Sequence, residues 1–368
     1  MKQKRSLIAM LTIWLLLGLV NLLARMFPAA VDLYISKLFP LISGLWSRIS
    51  GKFPFSVGEW MIVAGIALVV IAIPGVPLVL IFGKSKRKTI LGIAGQCYGW
   101  IVTWVFCVLT FRFFILYQGT QLSKTIDHTT YSNADVLNVY QQLVDGANAE
   151  AELVARDENG YFILSDDLMP EAKACMARLG EIYPQYRGFY PDAKPIHHAY
   201  FFSQQSLLGI YYPHSMEANY NPVVYDHNLP VTVCHEFTHL KGNIFEDEAG
   251  YYAFLACMTS ESHDFRYSAY ISAIEWFEPE LGDDEEAWEE FFRIEAKCSD
   301  QLCRDLYTFV PDDYWETHQE AEEVIPTAIV SDAANTVMDT SLKVNGVTEG
   351  VGSYSGMTLL LLHHYLDE

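Results

Sequence analysis

Three long apolar runs near the start of the chain constrain its fold most strongly. They cover residues 7–23, 57–82 and 90–117. A helix of about 20 apolar residues can cross the hydrocarbon core of a bilayer, which is about 30 Å thick. We therefore predict a membrane domain at residues 1–117 with three transmembrane helices. We expect the first run to be a retained anchor rather than a signal peptide, because no small-residue cleavage site follows it. The second run contains Pro74 and Pro77 and should kink or end near them.

Charge divides the chain at the same point. Residues 1–117 hold twelve basic and two acidic residues, a net charge of +10, whereas the rest holds twelve basic and 43 acidic residues, a net charge of −31. Basic clusters precede the first run and separate the second from the third, which predicts that both segments are cytoplasmic. Residues 118–368 and the loop at 26–56 would then lie outside the cytoplasm, although Lys37, Arg48 and Lys52 in that loop weaken the contrast. A domain this acidic excludes nucleic acid as a partner, since phosphate binding requires a basic surface.

A His-Glu-x-x-His motif is formed by His235, Glu236 and His239. Residues four apart on a helix lie on one face, one turn apart, so both imidazoles can bind one zinc ion. Glu236 then lies beside the metal, where it can take a proton from an activated water molecule. We predict a short helix over about residues 230–241, because Gly242 suits the position that follows a helix.

A catalytic zinc ion usually has three protein ligands and one open position. Glu246 begins the helix that is predicted after the turn, and we favour it as the third ligand because it shares a face with small residues that let two helices approach closely. Those small residues are Ala249, Gly250, Ala253 and Cys257. Glu248 remains the alternative ligand. It shares its face with Tyr251, Tyr252 and Leu255, which are bulky.

Other residues near the motif are candidates for the chemistry. His263, Arg266 and Tyr267 follow the second helix, and each is either a donor to the oxyanion of a tetrahedral intermediate or an ordinary surface or packing residue. The extended segment at residues 211–221 either pairs with a peptide substrate by strand addition or forms an ordinary sheet edge.

Strand patterns concentrate at residues 186–225, which are rich in aromatic and β-branched residues, with a further short candidate at residues 161–164, and helical patterns follow the motif helix to the end of the chain. Strands are predicted at residues 199–202 and 207–212. We therefore predict an α+β fold that is mainly helical and contains a small sheet.

The pattern Glu246-x-x-Ala249 after the motif resembles the gluzincins, zinc hydrolases in which a Glu-x-x-Ala-Asp or Glu-x-x-Ala-Asn helix follows the zinc helix. This resemblance implies Glu246 as the third ligand and a gluzincin-like domain at residues 118–368. The chain departs from the pattern at Gly250, where gluzincins carry Asp or Asn.

The whole chain also resembles an uncharacterised family of bacterial membrane-anchored proteins that is described as a domain of unknown function. The resemblance implies a multi-pass protein of the bacterial cell membrane and a zinc metallopeptidase activity, without a substrate. The matching segments after the apolar runs are Tyr211-Tyr212-Pro213, Glu217-Ala218-Asn219, residues 234–257, Phe265-Arg266-Tyr267-Ser268, Asn345-Gly346 and Gly350-x-x-Ser353-Tyr354.

We therefore expect a membrane-anchored zinc metallopeptidase that cleaves peptide or protein substrates. Zinc is the expected cofactor, held by His235, His239 and Glu246, with Glu236 as general base and then general acid. The alternative is a membrane-tethered sensor or binding protein with a structural or degenerate zinc site. A structural site usually adds a fourth Cys or His ligand. Cys234 is a poor candidate for that ligand, because it points about 100° away from its neighbour His235 on the helix.

The predicted topology can be tested with a reporter that works only in the cytoplasm. Fused after Glu368, it should be silent, because the basic clusters place residues 118–368 on the other side of the membrane. The same reporter fused within the basic segment between the second and third runs should be active. Activity of the Glu368 fusion would show that the number or the direction of the spans is wrong.

Overall fold

The computed structural model describes residues 2–127, 131–345, 347 and 356–367. Four of its N-terminal segments are long and apolar enough to cross a membrane: Gln3–Met26, Pro28–Ser50, Val57–Phe82 and Lys84–Thr125. They contain helices α1 (Lys2–Met26), α2 (Pro28–Leu33), α3 (Phe39–Ser50), α4 (Val57–Phe82) and α5 (Arg87–Leu109).

The structure differs from the sequence expectation at two places in this region. Helix α4 does not end at Pro74 or Pro77 but continues to Phe82. The segment expected as a loop at residues 26–56 is helical over most of its length, since a π-helical turn joins α2 to α3.

Helices α1, α4 and α5 pack together as a bundle. Trp100 Nε1 donates to Ser6 Oγ (2.9 Å) and Asn21 Nδ2 donates to Thr110 Oγ1 (3.3 Å), so α1 and α5 run parallel. The short turn Lys84–Lys86 joins α4 to α5, which therefore run antiparallel. The end of α1, the start of α4 and the end of α5 consequently lie on one side of the bundle.

The rest of the described chain is mainly helical, and its core forms where α9, α10 and α11 pack against one another and against α6. These helices and their neighbours are α6 (Asn133–Ala151), α7 (Leu168–Ile182), α8 (Ala199–Ser203), α9 (Leu229–His239), α10 (Glu246–Met258), α11 (His263–Glu275), α12 (Glu285–Glu295), α13 (Asp300–Asp305), α14 (Asp312–Glu322), α15 (Thr327–Val344) and α16 (Gly356–Asp367). The motif helix α9 thus lies close to its predicted bounds.

A small sheet packs against α9. Its strands are β1 (Lys194–Pro195), β2 (Gly209–Tyr212) and β3 (Glu217–Tyr220), in the order β1-β3-β2. Strand β3 pairs with β1 in parallel and with β2 in antiparallel orientation. The predicted strand at residues 207–212 is present as β2.

The predicted strand at residues 199–202 is wrong, because that segment forms the short helix α8. The aromatic residues that suggested a strand are Tyr200, Phe201 and Phe202, of which Tyr200 and Phe202 are buried and Phe201 is exposed. The ring of Tyr200 packs edge-on against Trp315 of α14, 5.2 Å away. Contact with a neighbouring helix therefore buries these aromatic residues in a helical segment. Strand propensity depends strongly on such context, which is why the sequence pattern was misleading.

A buried ion pair fastens the start of α4 to the sheet. Glu217 of β3 accepts hydrogen bonds from the backbone N–H groups of Val57 (3.2 Å) and Gly58 (2.7 Å) and pairs with Lys194. The Lys194 ammonium also donates to the carbonyl oxygens of Ser50 (2.7 Å) and Phe55 (3.0 Å). An anion at a helix N-terminus is favourable because the first N–H groups of a helix lack partners.

This pair predicts a stability effect of substitution. Glu217→Gln should destabilise the protein by about 3–5 kcal/mol, because it leaves the buried Lys194 ammonium without a counter-charge. The double variant Lys194→Met with Glu217→Gln should lose less, since it removes both charges. Thermal unfolding of the full chain in detergent measures both effects. Equal losses in the single and double variants would contradict the pairing.

Candidate metal centre

His235, His239 and Glu246 bring their ligand atoms together within 4.8 Å. His235 Nε2 lies 3.0 Å from Glu246 Oε2 and 3.1 Å from His239 Nε2, and the third side of this triangle, from His239 Nε2 to Glu246 Oε2, is 3.6 Å. The three atoms could bind one metal ion, and we call these three side chains the metal group. Among the described residues, this is the one group of three or more His, Cys, Asp or Glu side chains that is close enough to do so.

The turn between α9 and α10 produces this arrangement. Gly242 adopts a φ of +93°, which favours glycine and reverses the chain after the motif helix. A Cβ atom on residue 242 would lie 2.9 Å from a ring carbon of Phe39, so the close approach of α3 also requires glycine. Helix α10 then runs back along α9, and its first residue, Glu246, faces both histidines.

A backbone carbonyl group orients His239. Its Nδ1 lies 2.7 Å from the carbonyl oxygen of Asn243, which can only accept, so Nδ1 carries the proton and Nε2 is free for a metal. The Asn243 side chain in turn donates to the hydroxyl group of Tyr186 (3.1 Å). Sequence reasoning missed this support, because Asn243 lies in a turn and matches no ligand pattern.

Glu236 and Glu246 have opposite pKa shifts. Burial raises the pKa of Glu236 to about 8, with the charge of Glu246 adding to the effect. Burial also disfavours the charged form of Glu246, but the adjoining His239 and His235 outweigh it and hold its pKa well below the usual range. Oε2 of Glu236 is buried without a hydrogen-bond partner in the described structure. A carboxyl group that lies beside a set of metal ligands and has a pKa near neutral pH suits proton transfer.

The three acidic residues that begin α10 have separate roles. Glu246 joins the histidines, whereas Asp247 accepts hydrogen bonds from Gln121 (3.0 Å) and Ser123 (2.5 Å). Glu248 accepts from the backbone N–H of Leu122 (2.5 Å), and burial raises its pKa to about 8. The structure therefore brings Glu246, the favoured ligand, to the two histidines. It directs the alternative, Glu248, to the segment that follows α5.

The structure does not bring the predicted oxyanion donors to the metal group. Glu246 and Met258 bound a helix of 13 residues, about 20 Å long, and His263 follows its far end. There His263 Nδ1 lies 2.7 Å from a carboxylate oxygen of Glu150, and Arg266 Nε donates to the same carboxylate at 2.7 Å.

Tyr267 is also engaged elsewhere. Its fully buried hydroxyl group donates to Asp305 (2.6 Å) and accepts from Arg156 (3.1 Å). Adjacency in sequence suggested all three residues, and the length of α10 separates them from the metal group.

A family comparison identifies the chain. The family described as "Protein of unknown function (DUF3810)" matches residues 34–362. The chain belongs to this family. No curated protein and no solved structure matches it.

The segments that suggested the family include structural positions around the metal group. Glu217 anchors α4 to the sheet, and residues 234–257 hold the motif, the turn and α10. Ser268 of α11 accepts a hydrogen bond from the backbone N–H of Val231 near the start of α9 (3.1 Å). Gly346, Gly350, Ser353 and Tyr354, which also suggested the family, lie outside the described residues.

The assignment of Glu246 can be tested with a matched pair of variants two residues apart on one helix. Glu246→Gln should lower metal affinity by more than the roughly 10–100-fold typical of a group outside the ligand set, because it removes a charged ligand. Glu248→Gln should keep the metal, since an amide oxygen still accepts the Leu122 N–H. Metal content after equilibration with a zinc buffer measures both variants. Equal loss from the two, or greater loss from Glu248→Gln, would refute the assignment.

Proposed function

We propose that this protein is a membrane-anchored zinc metallopeptidase with its catalytic domain outside the cytoplasm. The observation that carries the proposal is the triangle of His235, His239 and Glu246, whose sides are 3.0, 3.1 and 3.6 Å. Ligand atoms at about 2.0–2.1 Å around a tetrahedral ion lie about 3.3 Å apart, so these side chains fit zinc with little rearrangement.

The donor set favours a catalytic site over a structural one. Two imidazoles and one carboxylate leave a coordination position open, as catalytic zinc sites do. A structural site would need a fourth ligand, and Cys234 does not supply it. Its buried thiol contacts the thiols of Cys175 and Cys257 instead. The sensor or binding-protein alternative therefore receives no support from the described residues.

Zinc held by these residues would supply a Lewis acid that polarises the scissile carbonyl group and activates the attacking water. Glu236 takes the proton of that water, because its carboxylate is buried beside the ligand set with an unpartnered oxygen. The same side chain then gives the proton to the leaving amine. One carboxyl group can perform both transfers because it accepts a proton as the carboxylate and donates it as the acid. His239 keeps its orientation throughout through the carbonyl oxygen of Asn243.

Strand β2 offers a place for the substrate. It is an edge of the described sheet, where it pairs only with β3, and an extended peptide can add to such an edge through backbone hydrogen bonds. Gly209 at the start of β2 reaches the general base, since a Cβ atom there would lie 2.6 Å from Glu236 Oε1. The ring of Tyr211 lies 6.1 Å from the ring of His239. A peptide along β2 would therefore pass beside Glu236 and the ligands.

The enzyme proposal predicts a separation between metal binding and activity. Glu236→Gln should keep zinc and the fold but lower the cleavage rate by about 10²–10⁴-fold, because the amide cannot accept the water proton. His235→Ala should lose zinc and activity together. Metal analysis and cleavage of a peptide library measure the two properties on the same purified protein.

The matched controls decide the outcome. Glu248→Gln carries the same chemical change at a buried glutamate outside the ligand set and should keep activity. A wild-type protein that holds zinc, is folded and cleaves no library peptide would refute the enzyme proposal. Full activity of Glu236→Gln would instead assign the proton transfer to another residue.

A further inference from the structure

The segment Pro28–Ser50 is apolar and long enough to cross a membrane, yet the bundle geometry does not allow a crossing. It connects the end of α1 to the start of α4, and both lie on the same side of the bundle. A single helical segment that crossed once would end on the opposite side. The segment must therefore begin and end on the same side of the bundle. Residues 118–368, the metal domain, follow α5 on that side.

Contacts with the metal domain run along the whole segment. Asp32 accepts hydrogen bonds from the backbone N–H and the hydroxyl group of Thr120, both at 2.8 Å. Ser43 Oγ donates to the carbonyl oxygen of Leu240 (2.5 Å), one residue after the ligand His239. At the end of the segment the Lys194 ammonium group donates to the carbonyl oxygen of Ser50 (2.7 Å), so the segment is fixed to the domain near its start, in its middle and at its end.

Helix α3 is amphipathic, and its exposed face indicates the environment that this face contacts. The buried face carries Phe39, Ser43, Ser47 and Ser50. The opposite face carries Leu38, Leu41, Leu45 and Ile49, which are 55, 69, 61 and 46% exposed. Exposed apolar side chains also cover α1, α4 and α5, so the lipid that suits those helices is the occupant that suits this face as well.

Basic and aromatic residues border the apolar face. Lys37 is exposed on this segment and Lys52 just after it, and Trp60 near the start of α4 is 43% exposed. Lysine, arginine and tryptophan concentrate at the level of lipid headgroups. Lys37 and Lys52, which weakened the charge contrast in the sequence, can reach lipid phosphate groups from these positions, whereas Arg48 stacks over the Phe189 ring, 4.3 Å away.

We propose that Pro28–Ser50 lies in the plane of the membrane surface, with the leucine face of α3 in lipid, and so presents the metal centre to polypeptides held at that surface. Since a helix with its side chains is about 10–12 Å across, the end of α9 that carries His239 lies about that distance from the lipid. The substrate class that follows is the membrane-proximal segment of an anchored polypeptide. This last step rests on the proposed function, whereas the placement of the helix does not.

Immersion depth tests the placement of the helix. The full chain would carry a spin label at Leu38→Cys, Leu41→Cys, Leu45→Cys or Ile49→Cys, in a background with Cys97, Cys107, Cys298 and Cys303 replaced by serine, in vesicles of phosphatidylethanolamine and phosphatidylglycerol. Relaxation by oxygen and by a water-soluble nickel complex gives each depth. All four labels should lie at a similar depth of about 5–10 Å. A label at Val69→Cys, in the middle of α4, should lie deeper.

Two results would overturn this placement. A crossing helix would spread the four depths over about 16 Å, because each residue advances about 1.5 Å along the axis. Labels that contact only water would show that lipid does not cover the leucine face.

The substrate step has its own test in the same vesicles. One mixed-sequence peptide library would be supplied with and without an amino-terminal myristoyl chain. The myristoylated library should be cleaved at least about tenfold faster, because anchoring raises its local concentration at the centre. Equal rates would refute the membrane-proximal substrate class and leave the peptidase proposal standing. Cleavage of neither library would count against the peptidase proposal itself, while the depth profile would still decide the helix.

Discussion

One short turn brings the ligand atoms of two imidazoles and a carboxylate within 4.8 Å of one another, and the surrounding structure maintains that turn. Without a metal, burial alone would lower the pKa of His239, but the Glu246 carboxylate raises it to about 9. A proton then supplies the positive charge that the partly buried Glu246 carboxylate requires. A metal ion must displace that proton, so the ligand set is arranged for a cation even before one binds.

The supports of the turn come from the membrane side of the molecule. Phe39 packs against Gly242, Ser43 binds the carbonyl oxygen of Leu240, and the segment after α5 binds Asp247 and Glu248 through Gln121, Leu122 and Ser123. The first turn of α10 is therefore fixed from two directions. The apolar N-terminal part of the chain is therefore part of the scaffold of the candidate metal centre, and we expect residues 118–368 alone to lose the precise spacing of the three side chains.

The parts of the centre that sequence could predict are local. The motif, the glycine turn and the choice of Glu246 over Glu248 follow from helix spacing and from the small residues on one face of α10. The contacts that join distant segments have no such signal. Glu217 lies about 160 residues after Gly58, and nothing in either segment indicates the other. The sequence predicts a loop at residues 26–56 because Lys37, Arg48 and several serines interrupt the apolar pattern. Such an interrupted pattern is typical of an amphipathic helix, whose two faces contact different environments.

Packing explains why this chain departs from the gluzincin pattern at Gly250. Helix α16 lies against α10 at this point, and a Cβ atom on residue 250 would lie 3.1 Å from the Met357 sulfur atom. A side chain there would require Met357 to shift by a few tenths of an ångström or more, so the close approach of α16 favours glycine at this position. The backbone carbonyl group of Asn243 orients His239 instead. A neutral carbonyl acceptor raises the basicity of an imidazole less than a carboxylate does. Zinc held at this centre would therefore receive less charge from its ligands and would remain a stronger Lewis acid.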